Sequence, residues 1–218
     1  MVFVCGVEEA GRGPVIGPLV LCGVVVDEKD EHRLKRIGAK DSKLLTPKRR
    51  ESLFSQIERI AARYKIIIVS PQEVDAALMA DSLNLNKLEA QKMAEIINEL
   101  KPDKVILDCP STNIKEFTLY LRKHLENKKI EIKAEHKADV NYTVVAAASI
   151  LAKVTRDREI RRIKEKIGID FGSGYPSDEK TQRFLKENWD RYPSIFRKTW
   201  ISYKRVITPA KQKNLQEF

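Results

Sequence analysis

The stretch Val2–Val26, VFVCGVEEAGRGPVIGPLVLCGVVV, decides the fold that this sequence predicts. Both of its ends are apolar runs rich in β-branched residues, which is the composition of buried strands. Between them lie two adjacent glutamates and a segment rich in Gly and Pro, residues that favour turns. The stretch therefore predicts two strands that lie close together near the start of the chain.

Further along the chain, strands and helices alternate. Strand-like runs occur at residues 65–69, 104–108 and 130–134, and helical periodicity at residues 47–64, 84–100, 113–126 and 142–166. Asn84 is placed to cap the second of these helices. This order predicts an α/β domain over residues 1–167, a mixed β-sheet flanked by helices. Residues 168–218 are aromatic and short-helical, and they predict a helical C-terminal extension.

The glycines after the first strand resemble a loose dinucleotide-binding fingerprint, which would indicate a nucleotide-dependent oxidoreductase. Gly11, Gly13 and Gly17 follow a strand, and Asp27 supplies an acid further on. That motif needs a helix N-terminus directly after the glycines to hold the pyrophosphate. Here Pro18 and a β-branched strand follow instead, so the sequence disfavours this class. A polar turn at a sheet edge is the simpler alternative.

The net charge is unevenly distributed along the 218 residues. Of the formal charge of +10, residues 151–218 carry +8, with 17 Lys and Arg against 9 Asp and Glu. A basic C-terminal third predicts a polyanionic partner such as nucleic acid, and a lysine-rich solvated surface is the alternative. No apolar run approaches a membrane span of about 18 residues, and no signal peptide is apparent. We therefore expect a cytoplasmic protein with no membrane partner.

Four carboxylates stand at element boundaries. Glu8 and Glu9 close the first strand, Asp108 ends another, and Asp139 precedes the long helix, so all four are placed to converge at one end of the sheet. Adjacent residues in a strand point to opposite faces, so Glu8 and Glu9 share a site only if the strand breaks between them. The Ala-Gly that follows favours such a break. For any one of these acids, the alternative is a helix cap or a surface ion pair.

A cluster of carboxylates predicts divalent metal ions. Like charges repel at close range, and hard oxygen ligands select Mg²⁺ or Mn²⁺ over softer metals. A carboxylate-held metal pair beside a basic surface is typical of phosphodiester hydrolysis. Ser149 and Lys153, four residues apart on one helix face beyond Asp139, are suited to hold a phosphate. A small packing serine and a solvated lysine are the alternative.

Five collinear blocks resemble the type 2 ribonucleases H, in their archaeal branch. The blocks are GVEEAGRG at 6–13, KDSKLL at 40–45, VILDCP at 105–110, ADVNYTVVAAASILAKVTRD at 138–157 and GSGYPSD at 172–178. The resemblance implies an RNase H-like fold and a divalent-metal endonuclease that cuts the RNA strand of RNA–DNA hybrids. It also implies incision 5′ to single ribonucleotides in duplex DNA, which leaves a 3′-hydroxyl and a 5′-phosphate.

The resemblance assigns roles by position. It implies that two metal ions are bound by the catalytic acids Glu8, Glu9, Asp108 and Asp139. It implies that the 2′-hydroxyl at the RNA–DNA junction is read by Gly11, Arg12, Gly13 and Tyr175. It implies phosphate contacts from Lys43, Ser149 and Lys153.

One position departs from the family pattern. The first acid of the family is an aspartate, whereas this sequence has Glu8, which is one methylene longer. Misplacement of a catalytic group by about 1 Å costs on the order of 10²-fold in rate. The alternative function is therefore a catalytically impaired nucleic-acid binder of the same fold.

The last residues carry a short pattern of their own. Gln212, Leu215 and Phe218 are spaced i, i+3 and i+6, which suits one helical turn with Leu and Phe side by side. The pattern resembles the tail by which replication and repair enzymes dock on the ring-shaped sliding clamp. A chain terminus with chance spacing is the alternative.

Overall fold

The computed structural model describes residues 1–40, 42, 45–80 and 83–216, with side chains as far as Thr208. Within these residues five strands form one sheet, in the order β3-β2-β1-β4-β5. The strands are β1 Phe3–Ala10, β2 Leu19–Asp27, β3 Arg63–Val69, β4 Lys104–Asp108 and β5 Glu131–Glu135. The α-helices are α1 Glu31–Ile37, α2 Pro47–Ile60, α3 Pro71–Met79, α4 Leu85–Leu100, α5 Ile114–Lys123, α6 Ala138–Asn141, α7 Thr143–Ile167, α8 Glu179–Asn188 and α9 Ile201–Gln216.

The sheet is mixed, as the sequence predicts. Strand β1 pairs antiparallel with β2 and parallel with β4, and β4 pairs parallel with β5. All five predicted strands are present, because each apolar, β-branched run lies in the sheet. The predicted α/β class is therefore confirmed.

The break expected between Glu8 and Glu9 is absent. Strand β1 continues to Ala10 because β2 keeps its antiparallel pairs with β1 as far as Ala10 and Val20. The pairs with β4 end earlier, at Val7. The two glutamates therefore stand on a regular strand segment that extends beyond its pairing with β4.

The helices follow the predicted pattern with some differences. Asn84 caps α4 by accepting a hydrogen bond of 2.9 Å from the backbone N–H of Lys87. Helix α2 ends at Ile60 rather than near residue 64, because Ala61 is extended and β3 begins at Arg63. Helices α1, α3 and α6 differ from the prediction, because no helical periodicity marks them in the sequence. None of the described helices is both long enough and apolar enough to span a membrane.

The chain divides into two compact units. The first comprises Met1–Ala10, Val20–Ile68 and Asn84–Thr155. In this unit, a Cβ built on Gly6 of β1 would lie only 2.3 Å from the backbone carbonyl carbon of Val144 in α7. Only glycine permits this approach between the strand and the helix.

The second unit comprises Gly11–Leu19, Val69–Leu83 and Arg156–Phe218. Its core is aromatic: the ring of Phe196 lies 5.9 Å from that of Phe184 and 5.7 Å from that of Tyr203. Ile16 pairs with Phe196 through an isolated antiparallel bridge. The domain boundary at residues 167 and 168 stays a prediction.

Candidate active site

Three carboxylates from three different elements meet in the first unit. Glu8 lies on β1, Asp108 ends β4, and Asp139 lies in the first turn of α6. One carboxylate oxygen from each residue lies within 4.8 Å of the other two. Oxygen ligands at such separations are suited to a hard divalent cation.

Glu8 is buried in an environment that disfavours its negative charge. Its Oε1 accepts a hydrogen bond of 3.1 Å from the backbone N–H of Glu9. Its Oε2 is buried and accepts no hydrogen bond from any described residue. Burial raises the pKa of Glu8 well above its ordinary range, and repulsion from Glu9 and Asp108 raises it further. A bound cation would relieve both effects, so the residues fit a metal ion.

The carboxylate of Asp108 is oriented by the backbone. Its Oδ1 accepts a hydrogen bond of 2.9 Å from the backbone N–H of Lys137. Lys137 adopts a left-handed conformation, with φ of 58° and ψ of 36°, which is uncommon outside glycine. A non-glycine residue in this region carries some backbone strain, and such strain is often found at functional sites.

Asp139 is 3% exposed and lies beside the fully buried Ala138. Lys137 occupies the N-cap position of α6 and Ala138 is the first helical residue, so Asp139 is the second residue of the helix. Capping of this helix therefore does not account for the carboxylate.

Glu9 lies outside the group of three. It is partly buried at the next position of β1, where adjacent side chains point to opposite faces. Its charge nevertheless contributes to the raised pKa of Glu8. The structure thus brings together three of the four acids predicted from the sequence, with the fourth at the adjacent strand position.

Of the three residues predicted to contact phosphate, Ser149 and Lys153 are among the described residues. Ser149 is buried on α7, and its hydroxyl lies 3.0 Å from that of Ser42. Lys153 is partly exposed on the same helix. Lys43 lies outside the described residues. The backbone carbonyl of Ser42 accepts a hydrogen bond of 2.9 Å from the buried guanidinium of Arg50, which thereby holds Ser42 in place.

In the second unit, the Gly11–Gly13 segment and Tyr175 are neighbours. Gly11 has a φ of +86°, and a Cβ there would lie 2.7 Å from the carbonyl oxygen of Pro18. A Cβ on Gly13 would lie 3.5 Å from the ring of Tyr175, an ordinary contact. Tyr175 is 36% exposed, and the guanidinium of Arg156 lies 5.0 Å from its ring centroid.

Sequence reasoning missed the arginines that hold these segments. Arg156 is buried, and its Nη2 donates to the carbonyl oxygen of Ser173 at 2.9 Å. Burial lowers the pKa of Arg156. The burial of Arg156 could have been inferred from its position in the sequence. It lies four residues from Ala152 and from Ile160, which places it on the apolar face of its helix.

Comparison with known proteins then decides the family. The family model of ribonuclease HII matches residues 5–203. The chain belongs to the ribonuclease HII family. Ribonuclease HII of Pyrococcus furiosus is 49% identical over 216 residues, which are 97% of this chain and 94% of that protein.

Solved structures of ribonucleases HII and H2 share the fold. The crystal structure of ribonuclease H2 from Pyrococcus horikoshii OT3 matches with a TM-score of 0.85 and 45% identity, over 94% of this chain and 97% of that one. The chain in the PCNA:RNase HII complex from Archaeoglobus fulgidus matches with a TM-score of 0.82 and 44% identity, over 91% of this chain and 95% of that one. The RNase H-like fold and the archaeal branch are therefore confirmed.

Membership of the ribonuclease HII family fixes the general activity. The protein is a ribonuclease H, a metal-dependent hydrolase that cuts RNA strands endonucleolytically. The group of Glu8, Asp108 and Asp139 in the first unit is its candidate metal centre.

Shortening Glu8 to aspartate is expected to raise kcat at least several-fold. The resemblance described above implies an aspartate at this position, and an extra methylene would displace a carboxylate whose placement within about 1 Å matters for rate. The measurement is steady-state cleavage of an RNA–DNA hybrid with Mg²⁺ or Mn²⁺ by the Glu8→Asp variant. The matched control is Glu9→Asp, the same chemical change one position along β1, which is expected not to raise kcat. An unchanged rate in Glu8→Asp would mean that the site has adapted to the longer side chain.

Proposed function

We propose that this enzyme cleaves the RNA strand of RNA–DNA hybrids and also incises duplex DNA on the 5′ side of single embedded ribonucleotides. The products carry a 3′-hydroxyl and a 5′-phosphate. The observation that carries the proposal is the carboxylate group of Glu8, Asp108 and Asp139, two of them buried and Asp108 partly buried, in a chain of the ribonuclease HII family.

The proposed cofactor is a pair of Mg²⁺ or Mn²⁺ ions held by the three grouped carboxylates, with Glu9, at the adjacent position of β1, assigned as a fourth ligand from the family resemblance alone. All four ligands are hard oxygen donors, which suit these ions. When bound, such ions activate water and stabilise the leaving oxygen of a phosphodiester. Glu8 contributes a buried oxygen that accepts no hydrogen bond from the described residues, and Asp108 contributes a carboxylate that the N–H of Lys137 holds in place.

Other residues of the first unit are proposed to bind the substrate backbone. Ser149 offers a hydroxyl and Lys153 an ammonium on α7, and Lys43 is assigned the same role from the sequence. Such phosphate contacts position a nucleic acid without reading its sequence.

In the second unit, the Gly11-Arg12-Gly13 segment and Tyr175 are proposed to recognise the ribose. Only RNA offers a 2′-hydroxyl, so that group is the natural handle for selectivity. Glycines leave the backbone accessible to a sugar, and the partly exposed ring of Tyr175 is available to pack against it.

Replacing Tyr175 by alanine is expected to lower kcat/KM at single embedded ribonucleotides more than at long hybrids. A single junction offers one sugar to pack against, whereas a long hybrid offers many registers for binding. Loss of one stacking contact costs about 1–3 kcal/mol, roughly 5- to 150-fold in rate. The measurement is kcat/KM on both substrates.

The control is Tyr175→Phe, which keeps the ring beside Arg156 and is expected to keep most of the junction activity. Equal losses on both substrates in Tyr175→Ala would contradict a junction-reading role.

We also propose that the C-terminal tail docks on a sliding clamp, which would bring the enzyme to DNA during replication and ribonucleotide excision repair. A structurally similar ribonuclease HII from Archaeoglobus fulgidus was solved in complex with PCNA. In this chain, Gln212 and Leu215 lie within α9, and Phe218 lies outside the described residues. A tethered enzyme would have a higher local concentration at embedded ribonucleotides.

A further inference from the structure

Arg197 is fully buried in the second unit, where its guanidinium binds backbone carbonyls. Its Nη2 donates to the carbonyl of Gly11 at 2.6 Å and its Nη1 to that of Arg12 at 3.0 Å. Its Nε donates to the carbonyl of Gly17 at 3.0 Å. A buried guanidinium is stable only when its donors are used, so these bonds fix the side chain and the loop together.

Trp200 completes this set of contacts. Its indole Nε1 donates to the carbonyl of Gly13 at 3.2 Å. Its ring also lies against the guanidinium of Arg197, 4.8 Å from centroid to Cζ. The carbonyls of Gly11, Arg12 and Gly13 are thus each held by one of these two side chains.

The segment that carries Arg197 and Trp200 is itself anchored by Asp75 of α3. The buried carboxylate of Asp75 accepts hydrogen bonds from the backbone N–H groups of Lys198, at 2.8 Å, and Thr199, at 2.9 Å. It also accepts one from the Thr199 hydroxyl, at 2.6 Å. Hydrogen bonds to an ionised group are roughly twice as strong as neutral ones, so these three bonds to Asp75 hold Lys198 and Thr199 in place.

A glycine-rich loop needs such external support. Gly11 and Gly17 adopt positive φ, and glycine loses more conformational freedom on ordering than any other residue. A hydroxyl is recognised well only when its partners stand within a few tenths of an ångström of hydrogen-bonding distance. Free backbone motion in the Gly11–Gly13 segment would lower the selectivity for ribose over deoxyribose.

We propose that Arg197 and Trp200 are positioning residues for ribose selectivity, because they clamp the carbonyl side of the Gly11–Gly13 segment and so fix its geometry toward the 2′-hydroxyl. On this proposal both residues act through the loop rather than through contact with the substrate. The inference rests on the ribose-reading role proposed above for that segment.

The test is Trp200→Phe, which removes the hydrogen bond to Gly13 and keeps an aromatic ring against Arg197. The matched control is Trp189→Phe, because Trp189 packs on the same aromatic cluster. Selectivity is measured as the Ki of an all-deoxy duplex, used as a competitor, divided by the KM for the same duplex with one ribonucleotide. For Trp200→Phe we expect this ratio to fall about three- to ten-fold, the effect of one hydrogen bond.

Two further readouts separate positioning from a general structural role. The Ki of the all-deoxy duplex and the melting temperature are expected to match those of Trp189→Phe. Arg197→Lys, whose ammonium lacks the planar fork that spans several carbonyls, is expected to lower the selectivity ratio further. A fall in the ratio that is equal in Trp200→Phe and Trp189→Phe would overturn the inference, because it would reflect packing alone.

Gly13→Ala distinguishes failure of this inference from failure of the proposed loop function. Its methyl makes only an ordinary contact with Tyr175 within the protein, yet it obstructs a sugar that approaches the loop. If Gly13→Ala lowers the selectivity ratio and Trp200→Phe does not, the loop recognises ribose without the hydrogen bond from Trp200. That result would overturn the inference. If neither variant lowers the ratio, the ribose-reading role fails and the inference fails with it.

Discussion

Replacing Asp108 by asparagine is expected to lower kcat on an RNA–DNA hybrid by about 10³-fold or more, since several kcal/mol of metal-assisted charge stabilisation are lost. Asparagine keeps an acceptor oxygen for the N–H of Lys137, so the strained backbone at that residue stays supported. It removes the charge that a divalent cation requires. Hybrid affinity is expected to stay close to that of the unmodified enzyme, because phosphate contacts dominate nucleic-acid affinity.

The measurements for Asp108→Asn are single-turnover cleavage with Mg²⁺ or Mn²⁺ and fluorescence anisotropy of a labelled hybrid without divalent ions. The melting temperature without metal is expected to be unchanged or higher, because one source of repulsion on Glu8 is gone. The matched control is Asp103→Asn. Asp103 also accepts a backbone hydrogen bond, 2.7 Å from the N–H of Phe3, but at the start of β1. A turnover rate in Asp108→Asn equal to that of the unmodified enzyme would contradict the assignment of Asp108 to the active site.

Ending the chain at Lys211 is expected to lower affinity for the cognate sliding clamp by about 10²-fold or more. The truncation removes Leu215 and Phe218, and burial of one such side chain contributes about 1.5–3 kcal/mol, with each 1.4 kcal/mol corresponding to ten-fold in Kd. Helix α9 already places Gln212 and Leu215 on helical backbone, so little further ordering is needed there.

Titration calorimetry of the clamp against the full-length and truncated proteins measures this difference. Leu215→Ala and Phe218→Ala are expected to reproduce much of the loss, whereas Gln216→Ala, a neighbour outside the pattern, is the matched control. Equal affinity of the full-length and truncated proteins for the clamp, or binding by neither, would contradict docking through the tail.

Much of the fold could be predicted because the sequence is locally consistent with it. Buried strands such as β2 are continuous apolar runs, and Asn84 marks the start of α4 with a cap that the structure confirms. Helix α3 was missed although Ser70 and Glu73 form a capping box around Pro71, a signal that is readable from sequence. Helix α1 buries only Leu34 and offers little periodicity to detect.

The candidate site was partly predictable for a different reason. Acids at strand ends converge because the strands do, which placed Asp108 beside Glu8 without any knowledge of helix packing. The position of Glu9 was harder to predict, because it depends on β2 keeping its pairs with β1 to Ala10.

The supporting arginines could not be predicted from charge. Arg156 and Arg197 were counted in the basic C-terminal third as part of a surface for nucleic acid, yet both are buried. Arg197 binds carbonyl groups 180 to 186 residues away in the chain. Such partners are backbone atoms, and nothing in the sequence marks a carbonyl that needs a donor.

The distance in sequence between Arg197 and Arg12 has a consequence for protein synthesis. The two residues are 185 positions apart. A ribosome that adds about 5–20 residues per second makes the glycine loop roughly 10 to 40 s before the arginine that clamps it. A nascent chain therefore contains its candidate catalytic acids well before the Gly11–Gly13 segment can be held by Arg197. On the proposal above, discrimination between ribose and deoxyribose is acquired only after Arg197 has been synthesised.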